Sequence, residues 1–380
     1  LEELMSESLI LGAVGDIAAF HDKPETMFDH VQEALDRADV RFAQNERHYN
    51  AVKATPVGGF TEQCPASHAD ALKKGGFDVV SFASNHTMDL GVQGMVETRA
   101  ALEKQGFEVI GVGMNIAEAR RPAIVERKGT KIGFLAYCSV LRPGYEANVK
   151  KPGVAPMRAD TLYKQVDYQA GTAPKIMTFP FKNDLAAVLE DVKKLRDQVD
   201  VLVVSFHWGI HFADAVIADY QVEVAHAVID AGADAIVGHH PHMLKAAEVY
   251  RGKPIFYSLG NFAFDSPAWE IDNWVAAMPE KRETYRNWGW AYGDPEWSLY
   301  CFPPSSRMSM VSHFTISDKK IVRASFVPVM INKNAQPVAL TQNDEDFAKV
   351  VGYMEEITAS QGMNTKYLIE GDDVVIPLDQ

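Results

Sequence analysis

The sequence predicts an α/β protein in which largely parallel strands alternate with covering helices. Three observations carry that expectation. Short apolar runs alternate with segments of helical period through the N-terminal part, as βαβ units require. Paired runs around tight turns supply hairpins further on. The composition is that of an ordinary globular chain, with 47% hydrophobic and 23% charged residues over a length of 380, enough for one large or two medium domains with a well-buried core. We expect a single domain spanning residues 1–380.

The elements follow in order. Leu9 to Val14 is an apolar run ending at Gly15-Asp16, a buried strand running into a tight turn. Pro24 opens a helix whose Phe28, Val31, Leu35 and Ala38 form one apolar stripe. A strand from Val40 to Ala43 ends at Asn45-Glu46, and a helix from Ala66 to Lys74 stops at Gly75-Gly76. Asp78 to Ala83 is again a strand, ending at Ser84-Asn85-His86, followed by a helix over Val92 to Gln105 and a strand over Glu108 to Val112. Pro122 to Glu126 and Lys131 to Tyr137 flank a turn and predict a hairpin. Between Arg142 and Pro180 periodicity vanishes, which predicts an inserted long loop at 142–180.

Regular structure resumes with a helix from Asn183 to Gln198, a strand from Asp200 to Phe206 ending at His207, a helix from Asp219 to Ala231, and a strand from Ala233 to Val237 ending at Gly238-His239-His240. A second hairpin joins Ala246–Tyr250 to Pro254–Leu259 and ends at Asn261. An irregular insertion at 266–307 precedes a third hairpin, Ser309–Ile316 with Ile321–Val329, and the tail at 341–380 carries a helix over Asp344 to Ala359.

With 51 acidic against 37 basic side chains, the net charge of −14 argues against nonspecific binding to nucleic acid or an anionic membrane, both of which need a positive surface. Cys64, Cys138 and Cys301 are too few and too scattered for a disulfide framework or a Cys-x-x-Cys metal site, and the odd count fits a reducing compartment. No apolar run approaches a membrane span, and the polar, acidic start leads straight into a strand. The expectation is a cytoplasmic chain with no membrane anchor, leaving room for a leader removed earlier.

Asp16, Glu46, Asn85, His207 and His240 each stand just past the C-terminal end of a predicted strand, where ligands bind in open α/β sheets. Two carboxylates, a carboxamide oxygen and imidazoles are the O/N donors that hold Zn, Mn or Fe. His242 adds another imidazole across Pro241, and no cysteine lies at these positions, which disfavours a structural zinc. Each piece has a plainer reading: Gly-Asp after a strand is usually a turn, and His207-Trp208-Gly209 could be a core aromatic cluster. Gly238-His239-His240-Pro241-His242 is stronger, because three imidazoles at the end of an apolar strand are costly to bury without partners.

The segments Val14-Gly15-Asp16-Ile17, Asn45-Glu46, Ser84-Asn85-His86-Thr87-Met88-Asp89-Leu90-Gly91, His207-Trp208-Gly209, Gly238-His239-His240-Pro241-His242 and Ser258-Leu259-Gly260-Asn261-Phe262 occur in the order seen in the CapA-type family. That family is named for poly-γ-glutamate capsule biosynthesis and resembles a branch of the calcineurin-like metallophosphoesterases. The resemblance runs from about Leu9 to Val329. It implies a four-layer α-β-β-α sandwich of two mixed sheets with a site for two divalent ions, Mn, Fe or Zn. Carried over, Glu46 bridges the ions, Asp16 and His242 serve one, and Asn85, His207 and His240 serve the other. His86 takes the place of an outer-sphere histidine that assists the leaving group, and Asp89 orients it. One departure matters: phosphoesterases have Asp-x-His where this chain has Asp16-Ile17-Ala18, so one ion lacks an imidazole. His21 either compensates or is a surface residue, and His239 points away or lines the pocket.

These roles imply a hydrolase in which a metal-bound hydroxide cleaves a phosphoester, amide, ester or lactone of a small or short anionic substrate. The alternative is a non-catalytic binding or assembly protein for an anionic polymer such as poly-γ-glutamate. Trp208, His239, Asn261, Arg282 and Arg286 are the further candidates for substrate contact. The 266–307 insertion holds five of the six tryptophans with Arg282 and Arg286, and reads either as an aromatic lid or as a satellite core or homodimer contact. Arg142 to Lys151 is a second candidate wall.

Overall fold

The computed structural model describes residues 8–20, 23–50, 57, 63–168, 171–277, 281–287, 289–290 and 294–379. Its hub is the strand Leu9–Ala18. That strand pairs in parallel with Val40–Asn45 on one side and antiparallel with Met308–Ser317 on the other. Its last residues also take Asn261–Phe264 as a parallel partner. From this hub a ten-stranded sheet extends both ways. The parallel half continues through Val79–Ser81 and Glu108–Ile110. The antiparallel half continues through Lys320–Ile331, Asp373–Ile376 and Leu368–Glu370.

A second sheet has six strands. Thr130–Cys138, Val201–His207, Ala235–His239 and Lys253–Phe256 are parallel neighbours at its centre, and Ala123–Arg127 and Ala247–Tyr250 close its edges antiparallel. Both sheets are therefore mixed: the βαβ alternation makes the parallel strands and the hairpins add the antiparallel ones.

Alternation along Val201–His207 shows how the second sheet is covered. Val201 and Val203 enter the core shared with Phe42 and Val79 of the larger sheet. Leu202, Val204 and Phe206 point the other way, against Val188, Val192, Val224 and Val228 of two helices. Those helices are Lys182–Arg196 and Asp219–Asp230. Across the shared core Phe42 stacks on Phe134 at 5.8 Å, and Phe256 meets Phe314 edge-on at 5.9 Å. Lys182–Arg196 shows why such a segment is helical: Val188, Val192 and Leu195 recur on one buried stripe, with Asp184 in the first turn and three cations in the last.

Several elements differ from the sequence expectation. The Pro24 segment is a short 3₁₀ turn, Pro24–Thr26, and a five-residue helix, Gln32–Asp36, not one helix. The 142–180 stretch is not a plain loop. It holds a hairpin of Ala159–Lys164 and Lys175–Pro180, exposed on both faces and so without the alternation that marks a half-buried strand. The 266–307 insertion contains the helices Ala268–Ala277 and Lys281–Asn287. The tail adds its helix, Glu345–Ser360, and then a hairpin that extends the larger sheet. No helix among the described residues is long and apolar enough to cross a membrane.

Candidate metal centre

Donors from both sheets meet at one end of the molecule. Asp16 lies inside its strand rather than past its end, because pairing with Asn261–Phe264 extends that strand to Ala18. The approach is close: a Cβ on Gly15 would stand 2.0 Å from the Gly260 carbonyl oxygen, so only glycine fits beside Asp16. Glu46 follows the end of Val40–Asn45, and Asn85 lies in the loop after Val79–Ser81. His207 is the last residue of its strand. His240 and His242 both adopt left-handed backbone conformations, φ 96° and 57°, so the turn around Pro241 aims two imidazoles inward at a cost in backbone strain.

The side chains converge in two groups that share Glu46: Glu46 with His207 and His240, and Asp16 with Glu46 and His242. In the first, His207 Nε2 lies 2.7 Å from Glu46 Oε1 and 2.6 Å from Asn85 Oδ1, while His240 Nδ1 stands 3.2 Å from both Asn85 Oδ1 and His207 Nε2. One Nε2 proton cannot serve both oxygens and also face a second nitrogen. In the second group His242 lies 3.7 Å from Asp16 Oδ2 and 3.6 Å from Glu46 Oε2. Asp16 Oδ1, Glu46 Oε2 and His207 Nδ1 are buried without a hydrogen-bond partner. Of these, Glu46 Oε2 faces His242 Nε2 inside the second group, and within each group the ligand atoms lie within 4.8 Å of one another; oxygen and nitrogen donors gathered this closely and buried fit a cation and suit Zn, Mn or Fe.

Electrostatics agree. Burial, then the charge of Glu46, pushes the Asp16 carboxyl well up. Burial also acts to raise Glu46, but the imidazoles of His207 and His242 outweigh it and hold the carboxyl below its usual range. Burial drives His240 and His211 well below the usual imidazole range, reinforced by their neighbouring imidazoles. Asp16 lacks compensation of the kind a bound cation provides.

Supporting contacts fix the donors. His242 Nδ1 lies 2.8 Å from Asn261 Oδ1, and Asn261 Nδ2 donates to the Tyr300 hydroxyl at 2.8 Å, which leaves His242 Nε2 toward Glu46. Asn261 is thus engaged with His242. His86 Nδ1 lies 2.6 Å from Asp89 Oδ2, and the Tyr145 hydroxyl donates to Asp89 Oδ1 at 2.8 Å. Trp208 is buried, stacked on Phe206 at 4.6 Å, and its indole N–H donates to the Tyr257 carbonyl. It therefore props the strand end from the helix side and does not reach the cleft. His239 is buried between the sheets, 6.0 Å from the Phe42 ring and 3.3 Å from Asp16 Oδ1, with burial pushing it down to about 3.

A cleft of about 550 Å³ opens onto Asn85 and His240. Its walls include Arg142, Ile210, His211 and Phe212. Buried Lys245 tethers the wall by donating to the Ala213 carbonyl, and burial brings its ammonium down to about 8. His211, whose ring lies 3.8 Å from that of His240, has no site role in the sequence reading, because it follows no strand end. Its only signal in the sequence is that five of the twelve histidines, His207, His211, His239, His240 and His242, fall in one short stretch. Tyr145 and Tyr300 lie in the two candidate walls, 142–151 and 266–307, with no sequence signal that either supports a site residue.

The 266–307 insertion forms a satellite core of Ile271, Trp290, Tyr300 and Phe302 among others, and Phe302 stacks on His242 at 5.0 Å. Arg282 and Arg286 are exposed on Lys281–Asn287, and among the described residues the arginine at the cleft wall is Arg142. His21 lies outside the described residues, as do Trp288 and Tyr292. The three cysteines are buried free thiols.

The family model described as "Bacterial capsule synthesis protein PGA_cap" matches residues 9–266. The PGA biosynthesis protein CapA of Bacillus subtilis (strain 168) is 38% identical over 195 residues, covering 51% of this chain and 44% of that protein. The capsule biosynthesis protein CapA of Bacillus anthracis is 30% identical over 238 residues, covering 63% and 49%. The chain spans about half the length of these curated relatives. Among solved structures, the calcineurin-like phosphoesterase YfkN from Bacillus subtilis aligns over 93% of this chain and 98% of that one, at 11% identity and a TM-score of 0.42. The fold described above rests on the strand pairings themselves.

Proposed function

The chain belongs to the PGA_cap family of bacterial capsule synthesis proteins, and from that premise we propose that it is a metal-dependent hydrolase acting on a small anionic substrate. The observation that carries the reading is the pair of buried donor groups joined through Glu46. Asp16, Glu46 and His242 would hold one divalent ion, and Glu46, Asn85, His207 and His240 a second. When bound, such ions supply Lewis acidity and bring the pKa of a water toward neutrality.

The remaining steps belong to the chain's own residues. Asp89, held by Tyr145, fixes the His86 ring through Nδ1 and leaves Nε2 to exchange a proton with the reacting groups. Arg142 pairs with an anionic part of the substrate beside the apolar wall of Ile210 and Phe212. The bond cleaved is a phosphoester, amide, ester or lactone.

A second reading, a non-catalytic binding or assembly role for an anionic polymer such as poly-γ-glutamate, is favoured by the names of the curated relatives. The experiment that separates them is metal analysis of the purified protein, followed by a Mn²⁺-supplemented screen of phosphodiesters, amides, esters and lactones. Turnover that His86→Gln abolishes while metal is retained supports the hydrolase. Absence of turnover together with poly-γ-glutamate binding supports the assembly role. If no metal is retained and Glu46→Ala and His240→Ala lose no function, the metal-dependent reading is wrong.

A further inference from the structure

The hairpin of Ala159–Lys164 and Lys175–Pro180 is a sheet of its own, paired with neither large sheet. A free two-stranded hairpin is marginally stable, and an open edge with exposed apolar side chains invites pairing with another strand. Here Leu162 is 53% and Tyr163 67% exposed. The two edges differ. The Lys175–Pro180 edge is covered by the start of Asp219–Asp230: Thr178 N–H donates to Asp219 Oδ2 at 3.2 Å, and Tyr220 N–H donates to Thr178 Oγ1 at 3.1 Å. Among the described residues, nothing pairs with the outer edge of Ala159–Lys164.

The Thr178 bond also fixes which backbone groups point outward. Its N–H faces Asp219, so the Thr161–Thr178 pair is a non-hydrogen-bonded pair of the hairpin, and Leu162–Met177 is a hydrogen-bonded one. On the free edge the parity reverses. Thr161 and Tyr163 present their N–H and C=O groups outward, and Leu162 does not.

We propose that this edge is the contact through which two copies of the chain dimerise, their Ala159–Lys164 strands pairing antiparallel about a two-fold axis at Leu162. Thr161 of each copy then lies opposite Tyr163 of the other, using the outward N–H and C=O groups of all four residues. Leu162 meets its own counterpart. Asp160 lies opposite Lys164 twice, in non-hydrogen-bonded positions where facing side chains are closest. This sequence is therefore self-complementary in charge as well as in backbone parity. From Ala159 to Pro180 the chain carries Asp160, Asp167, Lys164 and Lys175, so the contact is locally neutral although the chain has a net charge of −14.

The test is the mass of the full chain in solution by light scattering and sedimentation at rising concentration. The expected result is a reversible monomer–dimer equilibrium. Asp160→Lys or Lys164→Asp alone puts like charges opposite each other twice and should weaken the dimer about tenfold or more, while the two together restore it. Tyr163→Pro removes an outward N–H without touching the inward bonds of Leu162, and should give monomer with an unchanged circular dichroism spectrum. A monomer at every concentration, or a dimer indifferent to the single reversals, overturns the proposal. So does a double variant as weak as the singles.

Discussion

The paired carboxylates of the candidate metal centre lead to a prediction whose sign depends on metal. The ligand atoms of Asp16, Glu46 and His242 lie within 4.8 Å of one another. Two carboxylate charges at that separation repel by about 3 kcal/mol at an effective dielectric constant of about 20. Burial, then this repulsion, raises the Asp16 pKa, so about 1–3 kcal/mol is recoverable when the residue at this position carries no charge. Asp16→Asn removes the charge but keeps an oxygen to accept the His240 N–H, 3.3 Å away. In EDTA the variant should be the more stable protein by that amount, a rise of roughly 1–4 °C in melting temperature for a chain of 380 residues. In saturating Mn²⁺ the order should invert, because the wild type gains the free energy of binding and the variant has lost a charged ligand. Differential scanning calorimetry in both conditions measures it. A variant less stable than wild type in EDTA, or one stabilised by Mn²⁺ as much as wild type, would refute the reasoning.

Because Glu46 is common to both donor groups, Glu46→Gln should lower bound metal at both positions, whereas His240→Ala and His242→Ala should each cost one; plasma mass spectrometry of the purified variants gives the stoichiometry. With a substrate in hand, Arg142→Ala should raise KM about 10–100-fold, the range of a charged hydrogen bond, while kcat changes little, as steady-state kinetics will report. His313 is buried, its Nε2 lies 3.0 Å from the Ala34 carbonyl, and burial pushes it down to about 4 from 6.5. The unfolded chain therefore takes up a proton first, and stability present above pH 6.5 should fall by up to about 3 kcal/mol as pH drops toward 4. Urea unfolding at several pH values should show a loss in His313→Gln smaller than that of wild type by about this amount, the other buried histidines supplying the remainder in both.

Most of the donor set was legible because metal-site chemistry accumulates at strand ends, and strands of this kind announce themselves as apolar runs. Glu46, Asn85, His207 and His240 could be found one at a time. That they meet could not be read from periodicity, since it depends on two sheets facing each other. His211 was missed because its loop position follows no strand and obeys no pattern. Trp208 looked like a site residue because it adjoins His207, but successive residues at a strand end face opposite sides, and its indole lies among the helix-facing core. The hairpin in 142–180 was invisible for a related reason. With Leu162 and Tyr163 exposed on opposite faces, no half-buried alternation exists to detect.

The donors also divide by sheet. Asp16, Glu46 and Asn85 come from strands of the larger sheet, whereas His207, His240 and His242 come from the smaller. Covalently, the chain crosses between the sheets nearby, where Lys253–Phe256 gives way to Asn261–Phe264 beside Asp16. An ion held here would be a rivet through two plates whose shared interior is apolar. Its removal would leave the crossing strand as a hinge, so the protein's stiffness at this end, and not its chemistry alone, would be set by metal supply.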